Sequence, residues 1–226
     1  MKSIYEFLFS EHLLNEHLLK SKTAISTQDN DCVDLGLPSG LLWAKCNIGA
    51  DEPTEYGDYF MWGSTEPDTN KSCDWKNCPF NDGKIIYNGE YFKSIQNDFC
   101  PNGILAPKYD AATVILGNDW RLPTVDEFQE LINNTNHEWV ENYQGSRIKG
   151  MIFTSNNNGA ELFIPASGFR SGSSFSYRGI YTYLWSSSIY SNTPNYARNL
   201  RVNDPYCYND INNRYVGFCL RGVKNK

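Results

Sequence analysis

The chain has 226 residues and a formal net charge of −6, and its Lys and Arg residues form no basic cluster. Phosphate binding requires clustered cationic side chains, so a nucleic-acid partner is not expected. No apolar run approaches the length of a membrane span. Gly, Pro, Asn, Ser and Asp are spread along the whole chain, which favours many short elements joined by turns over long helices.

The first 31 residues predict an amphipathic helix, over residues 3–20, followed by a polar linker. The apolar side chains at helical spacing are Ile4, Phe7, Leu8, Leu14 and Leu18. Three roles for this helix remain open: packing back on the rest of the chain, self-association, or docking on a partner. The domain proper is expected to span residues 32–226.

The N-terminal segment also lacks the pattern of a signal peptide. Charged and polar residues interrupt its apolar stretch at Glu6, Glu11, His12 and Glu16, and no small-residue cleavage site follows. We therefore expect a protein that starts in the cytoplasm, with a phage virion or another route to the cell surface left open. Seven Cys, an odd number, fit a reduced compartment.

The first half of the domain predicts short strands and two helices. Strands are expected over residues 33–35 and 41–44, on either side of the turn 38–40, and again over residues 59–62. Residues 63–103 have no periodicity and predict long loops. One helix is expected over residues 110–116. A second begins at Thr124, where Thr124 and Glu127 have the spacing of a capping box.

Further strands are expected over residues 151–153 and 162–164, and short strands separated by Gly, Ser and Asn follow. The predicted class is α+β with an unusually large share of loop. The side chains expected in the core are Trp43, Trp62, Trp120, Phe128 and Trp185. Arg121, which lies between Trp120 and Leu122, is expected to bond carbonyls or a carboxylate inside the fold.

Six segments occur in a fixed order that resembles the "major paralogous domain" family of Bacteroidetes and Fibrobacter. They are VDLGLPSGLLWA (33–44), YGDYFMWG (56–63), WRLPT (120–124), IPA (164–166), YLWSSS (183–188) and GFCLR (217–221). The resemblance covers residues 32–223. It implies a C-type-lectin-like fold, related to formylglycine-generating enzymes and to the variable proteins that retroelements diversify, and it leaves the N-terminal helix unexplained.

Residues 186–215 have the composition of a binding surface. Seven Asn, five Tyr, four Ser and two Asp account for eighteen of these thirty residues, which is close to the composition of antibody paratopes. Turns explain Asn and Asp, which tolerate left-handed backbone, but they do not explain Tyr. This part of the chain is therefore predicted to carry the recognition surface.

Retroelement diversification is consistent with a second feature of the same region. Residues 186–223 contain no Lys, Glu, Gln, Met or Trp. Codons derived from AAC by adenine randomisation cannot encode these five residues, and they yield Asn, Tyr, Asp and Ser instead. The absence extends upstream to Leu162 apart from Trp185, so general composition contributes to it. A diversified surface and a fixed binding surface both remain open.

The predicted function is non-catalytic recognition of a protein or cell-surface ligand, without a cofactor. The predicted contact residues are Tyr190, Asn192, Asn195, Tyr196, Asn203, Asp204, Tyr206, Tyr208, Asn209 and Asp210. Tyr177 and Arg178 are expected to flank the same surface. An undiversified surface or structural module is the alternative among binding proteins.

The main enzymatic alternative is an oxidase, because the resemblance extends to formylglycine-generating enzymes, which bind copper through a close pair of Cys. Here Cys207 and Cys219 are separated by eleven residues, and Cys219 lies in an apolar segment where an inert, buried thiol is expected. Cys73, Cys78 and Cys100 are candidate zinc ligands, but their spacing is loose and no His lies nearby.

Calcium-dependent sugar binding is not expected, because residues 66–68 and 118–120 resemble its motifs only partly and lie in the wrong half of the chain. Asp110 and Asp126 are weak candidates for a structural cation. No Ser-His-Asp set is indicated, since His137 is the only His beyond the first helix and is expected in a polar loop.

Overall fold

The computed structural model describes residues 31–80, 98–193 and 195–226. The predicted N-terminal helix and all of its linker except Asp31 lie outside the described residues. Within the described part, strands outweigh helices, and the predicted mixture of α and β elements is confirmed in that coarse form.

Most elements are short. The α-helices that lie wholly within the described residues are α1 (Ala111–Leu116) and α2 (Val125–Asn134). Single 3-10 turns occur at Pro101–Gly103, Pro107–Tyr109 and Tyr143–Gly145. The strands are β1 (Cys32–Asp34), β2 (Leu42–Ala44), β3 (Trp120–Arg121), β4 (Thr135–Val140), β5 (Gly150–Ser155), β6 (Glu161–Pro165), β7 (Phe169–Ser171), β8 (Ser174–Ser176), β9 (Thr182–Ile189), β10 (Tyr196–Asn203), β11 (Tyr206–Asn213) and β12 (Val223–Lys224).

The two ends of the domain meet in one sheet of order β1-β2-β12-β3. Val223 of the last strand pairs with Trp43 on one side and with Arg121 on the other, both antiparallel. Three further sheets have the orders β4-β5-β6, β11-β10-β9 and β7-β8. The last strand of the domain thus pairs with its second and third strands. His137, which the sequence places in a polar loop, lies instead in β4, which pairs with β5 along its whole length.

Both helices begin where the sequence predicts. The Thr124 hydroxyl accepts the N–H of Glu127 at 3.2 Å, and the Glu127 carboxylate accepts the N–H of Thr124 at 2.8 Å, so the capping box is complete. Asp110 caps α1 by accepting the N–H of Ala112, and its second oxygen accepts the N–H of Leu122 at 2.8 Å. The Asp110 carboxylate therefore links the start of α1 to the backbone of Leu122.

The strand predicted over residues 59–62 is wrong. Only Phe60 makes a bridge, with Phe218, because neighbouring N–H groups take unrelated acceptors. The N–H of Met61 donates to the Asp68 carboxylate, and that of Trp62 to the carbonyl of Arg214. The segment is consequently held by three different partners and forms no continuous ladder.

The core contains the aromatic residues that the sequence predicts, with one exception. Trp43, Trp62, Phe128 and Trp185 are buried, whereas Trp120 is half-buried at the edge of the core. The Trp185 indole N–H donates to the carbonyls of Phe60 and Val216 at 3.0 and 3.2 Å, which satisfies its one buried donor.

Two arginines stabilise the fold, Arg221 from inside and Arg121, 39% exposed at its side chain, from the edge of the core rather than from inside it as expected. Arg121 forms a bidentate pair with Glu127 at 2.7 and 2.6 Å, as expected for a carboxylate partner. Arg221 is fully buried and donates to the carbonyls of Ala44, Lys45 and Phe163 and to the side chain of Asn47. Burial lowers the pKa of Arg221 to about 10, so it remains charged at neutral pH.

Candidate recognition face on the C-terminal sheet

The segment with the paratope-like composition forms most of the sheet β11-β10-β9. β10 lies in the centre, and β11 is an edge strand. The pairs Arg201–Tyr208 and Arg201–Tyr183 place these three side chains on one face, because residues directly opposite in a sheet point the same way. Leu200, which pairs with Asn209 and with Leu184, points to the other face.

The inner face of this sheet is core. Leu184, Leu200 and Val202 are fully buried and belong to one hydrophobic cluster with Phe128 and Leu131 of α2. Ser188 adds a polar link to the same helix, since its hydroxyl accepts the N–H of Val125 at 3.1 Å. The inner face thus fixes the sheet against α2.

The outer face is covered at one end. Trp185 has no exposed surface, and its ring lies 4.3 Å from that of Phe218. Tyr183, the next residue of β9 on this face, stacks on Phe218 with ring centroids 4.8 Å apart and is 8% exposed. Beyond Tyr183 the outer face of the sheet is no longer covered and is open to solvent.

The open end of the outer face carries five side chains that we call the tyrosine face: Tyr177, Tyr181, Arg201, Tyr206 and Tyr208. Tyr177, Tyr206 and Tyr208 are 53%, 63% and 40% exposed. Tyr177 and Tyr181 meet edge to face at 5.3 Å, and the Arg201 guanidinium lies 4.9 Å from the Tyr181 ring and 5.6 Å from the Tyr208 ring. These contacts join the loop before β9 to the edge strand.

Charge on the tyrosine face is concentrated in Arg201. Its nearest carboxylate is Asp210 of β11, at 3.5 Å between Nη1 and Oδ2. Burial raises the pKa of Tyr183, which lies behind Arg201, although the guanidinium acts in the opposite direction. The hydroxyl of Tyr183 therefore stays neutral at physiological pH, and the Arg201 cation lies between aromatic rings and the Asp210 carboxylate.

The predicted contact residues fall into two groups. Asn203, Asp204, Tyr206, Tyr208 and Asp210 surround the β10–β11 turn, at the open end of the outer face. Tyr190, Asn192, Asn195 and Tyr196 surround the β9–β10 connection at the opposite end. Because β10 has eight residues, the two ends are roughly 23 Å apart at about 3.3 Å per residue. The set is therefore not one contiguous patch.

The group around the β9–β10 connection is also more engaged with its own chain. The Tyr190 ring lies under the Arg198 guanidinium at 4.8 Å, and the Asn195 carbonyl accepts the N–H of Arg214 at 2.9 Å. Tyr190, Asn195 and Tyr196 are half-buried, and Asn192 is exposed.

Asn209 points away from the tyrosine face. It pairs with the inward-facing Leu200, and its side-chain amide donates to Gln129 Oε1 at 3.0 Å and to the carbonyl of Val125 at 3.3 Å. The alternation of the strand places Asn209 against α2 while its neighbours Tyr208 and Asp210 face outward.

Sequence reasoning missed Tyr181, Tyr183 and Arg201. The available signal was the alternation itself, since Tyr181 and Tyr183 are two residues apart and Arg201 is two residues before Asn203. Tyr177 flanks the face as predicted. Arg178 instead lies 3.7 Å from the exposed Phe175 ring, and its Nε donates to the Tyr59 hydroxyl at 3.0 Å.

The cysteines considered for chemistry are mostly buried. Cys219 is fully buried, as predicted, and burial raises its pKa and that of Cys207 to about 12. Burial likewise raises the pKa of Cys73 and Cys100 to about 11 and that of Cys78 to about 12. All five thiols are therefore protonated at neutral pH, and thiolates are the form that binds metals and attacks substrates.

Among residues 31–80, 98–193 and 195–226, no three or more His, Cys, Asp and Glu side chains are grouped so as to hold a metal ion. No helix in the described part of the chain has both the length and the apolar character needed to cross a membrane. Comparison with protein-family models, with curated proteins and with solved structures gives no match to this chain.

Proposed function

We propose that the chain is a non-catalytic binding protein whose tyrosine face contacts a protein or cell-surface ligand. The observation that carries this proposal is the exposure of Tyr206 and Tyr208, at 63% and 40%, on an edge strand whose inner side is core. Tyr presents a large, stiff and partly polar surface at low cost in conformational entropy, which suits it to recognition.

The arrangement also lets contact residues vary without loss of the fold. Leu200 and Val202 face inward and are fully buried, while Arg201 and Asn203 alternate with them and face outward. Substitution at outward positions therefore leaves the packing on α2 unchanged. A binding protein with a changeable surface needs this separation.

We further propose that the scaffold is C-type-lectin-like and that the chain is the variable protein of a diversity-generating retroelement. The six ordered sequence segments support this, as do the pairing of the last strand of the domain with β2 and the Asn- and Tyr-rich composition of residues 186–215. The proposal predicts a near-copy of this coding segment beside a reverse transcriptase gene.

Sequencing the locus and its relatives tests the diversification. The near-copy should differ mainly at adenines, and the differences should change codons for outward residues such as Tyr206 and Tyr208 but spare those of Leu200 and Val202. A locus without a near-copy and without a reverse transcriptase gene would leave a fixed recognition module in place of a diversified one.

Binding at the tyrosine face is tested by selecting dodecapeptides from a random display library on the immobilised full chain. The selected peptides are then measured against Tyr206→Ser/Tyr208→Ser. Val114→Ser/Ile115→Ser is the matched control, because it removes two exposed apolar side chains of α1, 52% and 43% exposed. The proposal predicts that most selected peptides lose binding only to the tyrosine variant. Equal binding to both variants would overturn it.

A further inference from the structure

Arg201 is the centre of the tyrosine face. Its guanidinium lies 4.9 Å from the ring centroid of Tyr181, 5.7 Å from that of Tyr183 and 5.6 Å from that of Tyr208. These rings belong to the loop before β9, to β9 and to β11, so three segments of the chain hold one cation. A guanidinium oriented by stacked rings loses little further freedom when it binds a ligand.

Only part of the hydrogen-bonding capacity of Arg201 is used within the chain, by Tyr181 and weakly by Asp210, and its buried Nε has no partner among the described residues. Guanidinium carries five N–H donors, and the Asp210 carboxylate is 3.5 Å away, at the outer limit of a hydrogen bond. Asp210 divides its interactions, because its other oxygen accepts the N–H of Ile211 at 2.8 Å. Arg201 is also 29% exposed at its side chain, so its outer donors can reach a ligand.

Arg201 lies in a segment rich in arginine although the chain is acidic. Residues 162–223 contain six Arg and two Asp and no Lys or Glu, while the whole chain has a formal net charge of −6. Arg170, Arg214 and Arg221 are buried, and Arg198 lies over Tyr190 at the other end of β10, so Arg201 is the cation that the tyrosine face itself presents. A partly exposed cation favours a partner that presents negative charge.

We propose that the tyrosine face binds a protein segment presenting a carboxylate next to an apolar or aromatic side chain. The carboxylate takes the outer donors of Arg201, and the apolar side chain packs on Tyr206 and Tyr208. This inference rests on the proposed binding function and adds the chemical class of the ligand to it.

The face favours a protein segment over a polyanion. One guanidinium matches one carboxylate, whereas a sulfated or polysialic glycan gains affinity from several cations in a row. The two most exposed tyrosines, Tyr206 and Tyr208, offer apolar ring surface beside that single charge. Interface energy is concentrated in such a pairing of Arg with aromatic anchors.

The library selection described above tests this class when its selected peptides are sequenced. We expect enrichment of Asp, Glu or a free C-terminal carboxylate beside Leu, Phe, Trp or Tyr. Replacing the acidic residue of a selected peptide by its amide, Glu by Gln or Asp by Asn, should weaken binding to the unmodified chain by about tenfold, as for one hydrogen-bonded charge. The comparison of acid and amide peptides uses only the unmodified chain, so it does not depend on how any protein variant folds.

The protein variants add a second readout. Arg201→Gln should weaken binding of the acidic peptides about tenfold and remove the preference for acid over amide. Arg198→Gln is the matched control, because Arg198 is an arginine of the same strand that lies over Tyr190 at the other end. Arg198→Gln should change neither the affinity for the acidic peptides nor the preference for acid over amide. Sulfated and polysialic glycans are titrated in parallel.

The possible failures are distinct. Peptides that lose binding to the tyrosine variant but show no acidic enrichment, or no acid-over-amide preference, would overturn the carboxylate class and leave the binding function standing. Glycans that bind more tightly than every selected peptide, with loss in Arg201→Gln, would assign the face to a polyanion instead. Peptides insensitive to both Arg201→Gln and the tyrosine variant would overturn the proposed function itself.

Discussion

The two faces of the sheet β11-β10-β9 differ beyond Tyr183, although they are made by alternating residues of the same strands. Leu184, Leu200 and Val202 on the inner face are fully buried against α2. Arg201 and Tyr208 on the outer face are open to solvent beyond Tyr183. Since a strand alternates with period two, one sequence can specify a core and a contact surface independently. Under the proposed function, stability and recognition would therefore be separated within the same eight-residue strands.

The outer face itself also changes along its length. At Trp185 it is covered by the segment around Phe218, and we expect the largest loss of stability there. Trp185→Ala should lower the free energy of unfolding by about 3–5 kcal/mol, because it leaves a large cavity and removes the donor shared by Phe60 and Val216. Denaturant unfolding measures this loss, and a loss below 1 kcal/mol would mean that this end of the face is not core.

Two residues of β10 that point to opposite faces test the same difference on one strand. Leu200→Ala should cost about 2–5 kcal/mol, since its side chain is fully buried in the cluster with Phe128 and Leu131. Asn203→Ala, on the outer face of the same strand, should stay within about 0.5 kcal/mol. Unfolding curves of the two variants test the pair, and similar losses would contradict the division into faces.

The Asp110 cap of α1 should give a smaller, pH-dependent effect. Asp110→Asn places an amide where one carboxylate oxygen now accepts an N–H, which costs about 1–3 kcal/mol. Burial raises the pKa of Asp110 in the folded chain above 3.8. The folded state therefore binds more protons, and the Asp110 contribution to stability falls as pH rises from about 4 through that folded pKa.

The difference in stability between the unmodified chain and Asp110→Asn isolates this group, because the other carboxylates are common to both. The unmodified chain should have the larger free energy of unfolding, and its advantage over Asp110→Asn should become smaller as pH rises from about 4 to 7. Denaturant titrations at several pH values measure it. A difference that widens with pH would show that the folded-state pKa is lowered, not raised.

Local features of the fold were predictable from the sequence, and the site was predictable only in part. The capping box at Thr124 and the start of α1 depend on residues close in sequence, and both are confirmed. The burial of Trp185 and Cys219 follows from their apolar neighbours. The strand expected over residues 59–62 fails because its partners, among them Asp68 and Arg214, are distributed along the chain.

The site was harder to predict because strand pairing is not local. Composition directs attention to residues 186–215 as a candidate surface, but only the register shows that Arg201 meets Tyr183 and Tyr208 across strands. The same register turns Asn209 toward α2 and separates Tyr190 from Tyr206 by the length of β10. The groups that bind Arg221 likewise come from segments far apart in sequence, so no local sequence pattern predicts this cluster.

The separation of stability from recognition is tested most directly by the free energy of unfolding of Tyr206→Ser/Tyr208→Ser. Both side chains are exposed on the edge strand and lie on the face that is not packed on α2. Each substitution should cost no more than about 0.5 kcal/mol, so the double variant should stay within about 1 kcal/mol of the unmodified chain. A loss of 3 kcal/mol or more, about the cost of truncating a buried aromatic side chain, would show that these tyrosines are core residues and that the recognition surface lies elsewhere.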